Sequence, residues 1–336
     1  RDVLGSRGLG DVYKRQMGDT LLSCSGREAK VVVPAGVKEL EEYSFYNDTA
    51  LQEIELPEDL TMILKCAFQE CTALQEIRLP DKLKRLGRAA FYGCSALRKI
   101  EIPASVKQID TETFRDCTAL RVIELSEGLE IIGGYVFEGC NALEKIVIPA
   151  SVKQIELEAF QDCTALQEIW LPDGLELIGR SAFSECEALQ EIRLPDGLKE
   201  IGSDAFSGCR SLRQITVPVG VKCIETAVFQ SCRALQEVHL PEGLEQIGMF
   251  AFEDCDTLTR IVLPASLKRL CRGAFENCTS LLEAQLPDGL EELQDDAFEY
   301  CRSLQKVTIP AQVRQIERAA FYYCLLYTSD AADEAR

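Results

Sequence analysis

Several residue types that often carry chemical function are scarce in this chain of 336 residues. It contains one His, one Trp and three Met. A single His limits acid–base and metal chemistry, although carboxylates and thiols remain available. No apolar run approaches the roughly 20 residues of a transmembrane helix, so membrane insertion is not expected. No secretory signal peptide is evident either.

Positive charge is also in deficit. Lys and Arg number 36 against 55 Asp and Glu, which gives a formal net charge of −19. Such a balance argues against a nucleic-acid backbone or an anionic membrane surface as partner. Cysteine, in contrast, is abundant, with 16 residues. This number suggests a disulfide framework, a metal protein, or a repeat that contains Cys.

The prolines reveal a repeat. They occupy positions 34, 57, 80, 103, 149, 172, 195, 218, 241, 264, 287 and 310, always 23 residues apart or twice that, with Ser126 at the missing place. A Phe follows eleven residues after each register position, from Phe45 to Phe321 in steps of 23. A Cys follows three residues later, from Cys71 to Cys324, except that the first coil has Asp48. A fixed period of this length predicts a solenoid of about 13 coils.

The repeating unit is LPxxLxxIGxxAFxxCxxLxxI, as in Leu171 to Ile192. Its Leu-x-x-Ile-x-Leu part has the period of a strand, which the proline ends because it cannot donate to a ladder. The Ala-Phe step predicts a short turn or a single helical turn. We expect a right-handed leucine-rich-repeat stack of 23-residue repeats, with a parallel β-sheet on one face.

The unit resembles the BspA-like, or Treponema-type, leucine-rich repeat of bacterial surface proteins. The Ala-Phe-x-x-Cys step and the Leu-Pro after the strand carry the resemblance from Pro34 to Phe321. It implies a secreted or surface-displayed protein associated with adhesion to host proteins or other cells. This implication makes a protein ligand the expected partner.

Both ends depart from the repeat. Residues 1–16 and 324–336 resemble translated sequencing adaptor, since Asp11 to Gln16 and Cys324 to Thr328 match one nucleotide element and its complement. We interpret both segments as artefacts of a truncated reading frame, the alternative being a native polar tail. Residues 17–33 are predicted to form an N-terminal hairpin or cap around Ser25 and Gly26. Residues 34–323 form the predicted solenoid.

The cysteine column favours buried thiols. Neighbouring coils stack about 4.8 Å apart, which permits a disulfide in principle, but stacked side chains point the same way. Zinc is disfavoured because no Cys-x-x-Cys pair occurs, and a Cys nucleophile would need a base beside it. We therefore predict no metal and no cofactor, with the thiols packing as small hydrophobes.

The exposed face of the predicted sheet is where the repeat stops being uniform. The column two residues before the proline holds the only Trp and the only His, about 14 Å apart at strand spacing. Trp and Arg are enriched at binding hot spots. The candidate ligand-binding residues are Val147, Trp170, Arg193, Thr216 and His239. The alternatives are a Trp that covers a neighbouring side chain, or neutral drift in a duplicated array.

Two further charged columns favour structural roles. The column four before the proline is rich in Glu, but it lacks the dedicated ligand set of a calcium loop. The column after the second apolar position mostly alternates in sign, from Lys153 and Glu176 to Arg314, which predicts ion pairs between stacked coils.

These observations favour a non-enzymatic protein-binding solenoid of the surface or secreted adhesion type. The first alternative is an intracellular interaction scaffold, which a column of free thiols would suit. The second is the binding region of a larger protein whose other domains, including any catalytic one, are missing. Within this sequence there is no Ser-His-Asp set and no phosphate-binding loop, and the repeat gives every coil nearly the same chemistry.

Overall fold

The computed structural model describes residues 13–25 and 28–324. Those residues contain no α-helix; they form short strands joined by turns, one coil for each repeat. In chain order the strands are β1 Tyr13–Met17, β2 Thr20–Ser25, β3 Lys30–Val32, β4 Glu39–Leu40, β5 Glu53–Glu55, β6 Met62–Ile63, β7 Glu76–Ile77, β8 Arg85–Leu86, β9 Lys99–Ile102, β10 Gln108–Ile109, β11 Val122–Leu125, β12 Ile131–Ile132, β13 Lys145–Val147, β14 Gln154–Ile155, β15 Glu168–Trp170, β16 Leu177–Ile178, β17 Glu200–Ile201, β18 Gln214–Thr216, β19 Cys223–Ile224, β20 Glu237–His239, β21 Gln246–Ile247, β22 Arg260–Val262, β23 Arg269–Leu270, β24 Glu283–Gln285, β25 Glu292–Leu293, β26 Lys306–Thr308 and β27 Gln315–Ile316.

The strands that precede the prolines form the predicted parallel sheet. It is divided into ladders of five, two, two and three strands, in the orders β11-β9-β7-β5-β3, β13-β15, β18-β20 and β22-β24-β26. Inward and outward residues alternate along these strands, as in β13, where Ile146 is buried between exposed Lys145 and Val147; in β26 the inward Val307 is half-buried. The alternation therefore fixes which side chains are available to a partner.

A second set of shorter strands follows the prolines. It pairs in parallel as β4-β6-β8-β10-β12-β14-β16-β17 and again as β19-β21-β23-β25-β27, and β2 of the N-terminal hairpin adds to the first of these sheets beside β4. Between the two sets, the Pro172 carbonyl accepts a hydrogen bond from the Leu175 N–H at 3.1 Å, and the other coils that contain this proline repeat the arrangement. Proline thus ends one strand and begins the β-turn to the next.

The third side of each coil is a stack of turns around the Phe column. The N–H groups of Tyr43, Phe45 and Asn47 donate to carbonyls of the next coil at 2.8–3.1 Å. Residues two before and two after each Phe have positive φ, for example 61° at Tyr43 and 58° at Asn47. Because left-handed residues alternate with ordinary ones, every second N–H group of the turn points along the solenoid axis towards the next coil. The single helical turn that the sequence allowed is absent from the described residues, because these left-handed residues interrupt any helical run.

The core is a continuous column of Phe, Leu, Ile and Cys. Successive Phe rings from Phe45 to Phe321 stack with centroids 5.0–5.8 Å apart. The Cys column from Cys71 to Cys301 is fully buried, and the cysteines from Cys66 to Cys324 are free thiols. The prediction of a buried thiol column is confirmed, with burial raising the pKa of the Cys71 thiol to about 12.

The N-terminal hairpin differs from its prediction. β1 pairs antiparallel with β2 through a turn at Gly18, whose φ of 65° suits glycine. The predicted turn at Ser25 and Gly26 was wrong, since β2 and β3 belong to different sheets; Gly26 itself lies outside the described residues. Leu21 is fully buried and pairs with Leu40, which ties the hairpin to the first coil. Of the two segments interpreted as adaptor, residues 1–12 and 325–336 lie outside the described residues.

Candidate functional site

The strand face is the outward side of the sheet that precedes the prolines. We define it by the residues five, four and two positions before each register position, from Ala29 to Thr308. The five predicted site residues all lie on this face and are all exposed. Val147 pairs in register with Trp170, and Thr216 pairs in register with His239.

Arg193 lies in the coil between these two pairs, where the ladder is interrupted. Its segment, from Glu191 to Leu194, is not assigned as a strand, although Ile192 and Leu194 keep their inward positions. The structure therefore brings the five residues onto one face as two paired couples with Arg193 between them. The sequence predicted the shared face but not the interruption.

Two exposed valines precede Trp170 on the strand face: Val147, its in-register neighbour, and Val122 one coil before Val147. We call Val122, Val147 and Trp170 the tryptophan patch; their exposed fractions are 44%, 61% and 49%. Beside it, the Lys145 Nζ atom lies 2.6 Å from the Glu168 Oε1 atom, on the same two strands as Val147 and Trp170. The two charges of this ion pair neutralise each other beside the apolar residues.

Sequence reasoning missed Val122 as a member of the patch. Val122 belongs to the Glu-rich column four residues before the proline, and it is the single apolar residue of that column. That departure from the column was the signal available in the sequence. Val262, exposed by 67%, lies in the column of Trp170 but outside the predicted site, and Leu282, exposed by 47%, lies in the column five before the proline, which sequence reasoning did not consider.

An open depression of about 860 Å³ lies towards the C-terminal part of the strand face. Its lining includes Glu237 and His239 of β20 together with Arg260 and Val262 of β22. The depression includes one of the five predicted residues, His239, and does not include Trp170. No ladder joins β20 to β22 in the described sheets, so the depression lies where two ladders meet.

Charge on the strand face is balanced, unlike that of the chain. Its ten acidic residues are Glu53, Glu55, Glu76, Glu101, Glu124, Glu144, Glu168, Glu191, Glu237 and Glu283. Its ten basic residues are Lys30, Arg78, Arg98, Lys99, Arg121, Lys145, Arg193, Arg213, Arg260 and Lys306. The net charge of −19 therefore resides elsewhere on the molecule. A partner at the strand face meets little net repulsion of either sign.

Ion pairs join neighbouring coils on this face. Lys99 and Glu124 lie 2.6 Å apart, and Arg260 and Glu283 lie 3.4 Å apart. On the opposite side, the predicted alternation of charge produces the pair of Lys199 with Glu176 at 2.6 Å. Such exposed pairs contribute about 0–1 kcal/mol each. These ion pairs favour the correct alignment of neighbouring coils and add little to the free energy of unfolding.

The stacked turns carry the most perturbed carboxyl groups. Glu138 is 9% exposed, and its Oε1 atom accepts a hydrogen bond from the Arg115 Nη2 atom at 2.9 Å. The Arg115 guanidinium lies over the rings of Tyr92 and Tyr135, 6.0 Å and 5.5 Å from their centroids. Burial raises the pKa of Glu138 to about 7, although Arg115 opposes the shift. The arrangement is a packed structural cluster on a different side from the strand face.

Within the described residues, no group of three or more His, Cys, Asp or Glu is placed to hold a metal ion. The same residues contain no helix long and apolar enough to cross a membrane. The strand face thus offers apolar contact, hydrogen-bonding groups and mixed charge, which are the components of a recognition surface.

Comparison with known families agrees with this architecture. The model of the BspA type leucine rich repeat region, in six copies, matches residues 38–167, 130–224, 154–248 and 199–328. The chain belongs to this family. A search of curated proteins found no match.

Solved structures place this BspA-type repeat protein among bacterial relatives. A leucine-rich repeat protein from Bacteroides ovatus is 29% identical, with a TM-score of 0.71 over 88% of this chain and 76% of that one. A leucine rich cell surface protein from Faecalibacterium prausnitzii is also 29% identical, with a TM-score of 0.62 over 94% of this chain and 92% of that one. A third, from Eubacterium ventriosum, is 23% identical with a TM-score of 0.55 and shares the fold.

Proposed function

We propose that this solenoid is a non-enzymatic binding protein that engages a protein partner through its strand face. The contact residues are Val147, Trp170, Arg193, Thr216 and His239, with Val122 added. The observation that carries the proposal is the tryptophan patch, an exposed apolar cluster in columns that are otherwise mainly charged or polar. Large aromatic side chains dominate binding energy when a partner covers them.

We further propose that the protein acts at the bacterial surface or after secretion, in adhesion to a host or neighbouring-cell protein. The similarity to a cell surface protein from Faecalibacterium prausnitzii supports this location. The balanced charge of the strand face supports a protein partner over a nucleic acid, which would require a basic surface.

An intracellular interaction scaffold is the second candidate. The free thiols of the buried column favour it, because reducing compartments keep thiols from oxidising. The same strand face would serve either role. The complete reading frame separates the two, because a secretory signal supports the surface protein and its absence from the full gene supports the scaffold.

The test is a binding screen with matched variants. Immobilised host extracellular proteins and surface proteins of neighbouring bacteria are probed by biolayer interferometry with the wild-type chain, Trp170→Ala and Glu76→Ala. Glu76 is an exposed strand-face residue four coils from Trp170, so its loss controls for a change at a remote position. We expect a partner whose affinity falls at least tenfold with Trp170→Ala and stays unchanged with Glu76→Ala. Partners that bind both variants equally well would contradict the proposed surface.

A further inference from the structure

The C-terminal part of the strand face is hollowed over several coils. The depression that contains His239 begins at Glu191, and a second one of about 390 Å³ continues as far as Thr308. The two share Arg260 and Val262 in their linings. Together they extend over six coils, from that of Glu191 to that of Thr308, which lie five steps or about 24 Å apart at strand spacing.

This channel lies close to the tryptophan patch. Glu191, where the channel begins, belongs to the coil that follows Trp170. Val262 lies in the same column as Trp170, four coils later, which corresponds to about 19 Å along the solenoid axis. Trp170 is the largest apolar side chain of that column, and Val262 is the most exposed one. The strand face therefore presents two apolar anchors in one line, with the first depression between them.

The region between the anchors is polar without a dominant charge. Gln214 and Thr216 provide amide and hydroxyl groups, which both donate and accept hydrogen bonds. Near the anchors, one ion pair joins Lys145 to Glu168 and another joins Arg260 to Glu283, while Arg193 adds a positive charge one coil after Trp170. A strongly charged ligand would have to compete with these pairs, whereas peptide groups would find matching donors and acceptors.

We propose that the strand face binds one extended, largely uncharged polypeptide segment that lies along the solenoid axis. One apolar side chain of the segment contacts Val147 and Trp170, and a second contacts Val262. An extended chain rises about 3.3 Å per residue, so the two side chains are about six residues apart. This inference rests on the proposed function and specifies the partner's chemistry.

The experiment is a selection of random 16-residue peptides displayed on phage against the immobilised wild-type chain. Selected peptides are synthesised, and their affinities are measured by fluorescence anisotropy for the wild type, Trp170→Ala, Val262→Arg and Val32→Arg. Val32 is the matched control, because it is an exposed valine of the same column, ten coils before Val262. Circular dichroism and thermal unfolding establish that each variant is folded.

We expect peptides with few charges and two apolar residues about six positions apart. Both Trp170→Ala and Val262→Arg should weaken their binding at least tenfold, while Val32→Arg leaves it unchanged. Peptides that require Trp170 but tolerate Val262→Arg would overturn the extended two-anchor segment and leave the proposed function intact. Peptides that tolerate both substitutions would overturn both. Charge-rich peptides, or no enrichment, would also overturn the segment proposed here.

Discussion

The Sγ atom of Cys186 lies 3.2 Å from the carbonyl oxygen of Phe160 in the preceding coil. The same contact recurs for every Cys of the column, at 3.0–3.4 Å. The thiol therefore packs as a small hydrophobe and also donates a hydrogen bond between coils. The Phe160 carbonyl accepts from the Cys163 N–H as well, at 3.2 Å.

The hydrogen bond makes a prediction about substitution at Cys186. Cys186→Ala removes the donor and leaves a small void, so it should lower the free energy of unfolding by about 1–2 kcal/mol. Cys186→Ser keeps a donor and should be no more destabilising than Cys186→Ala. Urea unfolding followed by circular dichroism measures both. A Ser variant clearly less stable than the Ala variant would show that the thiol acts by packing alone.

The Phe stack predicts a larger effect. The ring of Phe183 lies 5.3 Å from that of Phe160 and 5.4 Å from that of Phe206. Phe183→Ala should cost about 3–5 kcal/mol, because it removes a fully buried ring from a column that cannot collapse around it. The control is Trp170→Ala, which is half-exposed and should change stability by about 0.5 kcal/mol or less. Equal losses in the two variants would contradict the assigned core.

Accessibility of the thiols follows from the same column. The described column thiols from Cys71 to Cys301 are buried and have raised pKa values, so the native chain should not react at these positions with a thiol-specific reagent near pH 8. In denaturant without reductant, all of them should become labelled. Peptide mass spectrometry locates the labelled positions. Rapid labelling of Cys117 or Cys163 in the native chain would be inconsistent with this burial.

Glu138 predicts a dependence of stability on pH. Its pKa is about 7 in the folded chain and 4.5 for the unperturbed group, mainly because burial disfavours the carboxylate. As the pH rises, the carboxyl group of Glu138 therefore loses its proton in the unfolded chain before it does so in the folded chain. Glu138 then lowers the free energy of unfolding progressively from about pH 4.5 to 7. Below that window both states are protonated and the penalty is absent.

The matched comparison is Glu138→Gln, which keeps an oxygen that can accept from Arg115 but cannot ionise. The difference in free energy of unfolding between this variant and the wild type should grow in favour of the variant from pH 4.5 to 7, then level off. Chemical unfolding across that range provides the measurement. A difference that is independent of pH would show that Glu138 is ionised normally in the folded chain.

The periodic pattern predicted much of this molecule. Prolines, Phe and Cys 23 residues apart specify the coil, its buried columns and the outward position of Trp170. The left-handed turns were not predictable, because the positions concerned hold residues such as Ala89 and Glu112 in place of the expected glycine. Their conformation is set by hydrogen bonds between stacked coils, which no single repeat reveals.

The candidate site was predictable only in outline. Its residues differ from their columns, so Trp170 and His239 could be singled out from the sequence. The interrupted ladder at Arg193 and the depression beside His239 depend on the spacing of adjacent coils. The repeating sequence does not change where a ladder is interrupted, so it could not predict either feature. The position of the N-terminal hairpin was likewise not predictable, because it depends on the pairing of Leu21 with Leu40, a contact between residues 19 positions apart.

We expect a partner to cover the strand face at Trp170, and the single Trp of the chain permits a direct test. The chain is labelled with 5-fluorotryptophan, so that one ¹⁹F resonance reports on position 170. The measurement is the ¹⁹F spectrum with and without a partner identified by the binding screen. The resonance should shift or broaden as the complex forms, and adding unlabelled chain should reverse the change. A complex that forms at full occupancy while the resonance stays unchanged would contradict this expectation.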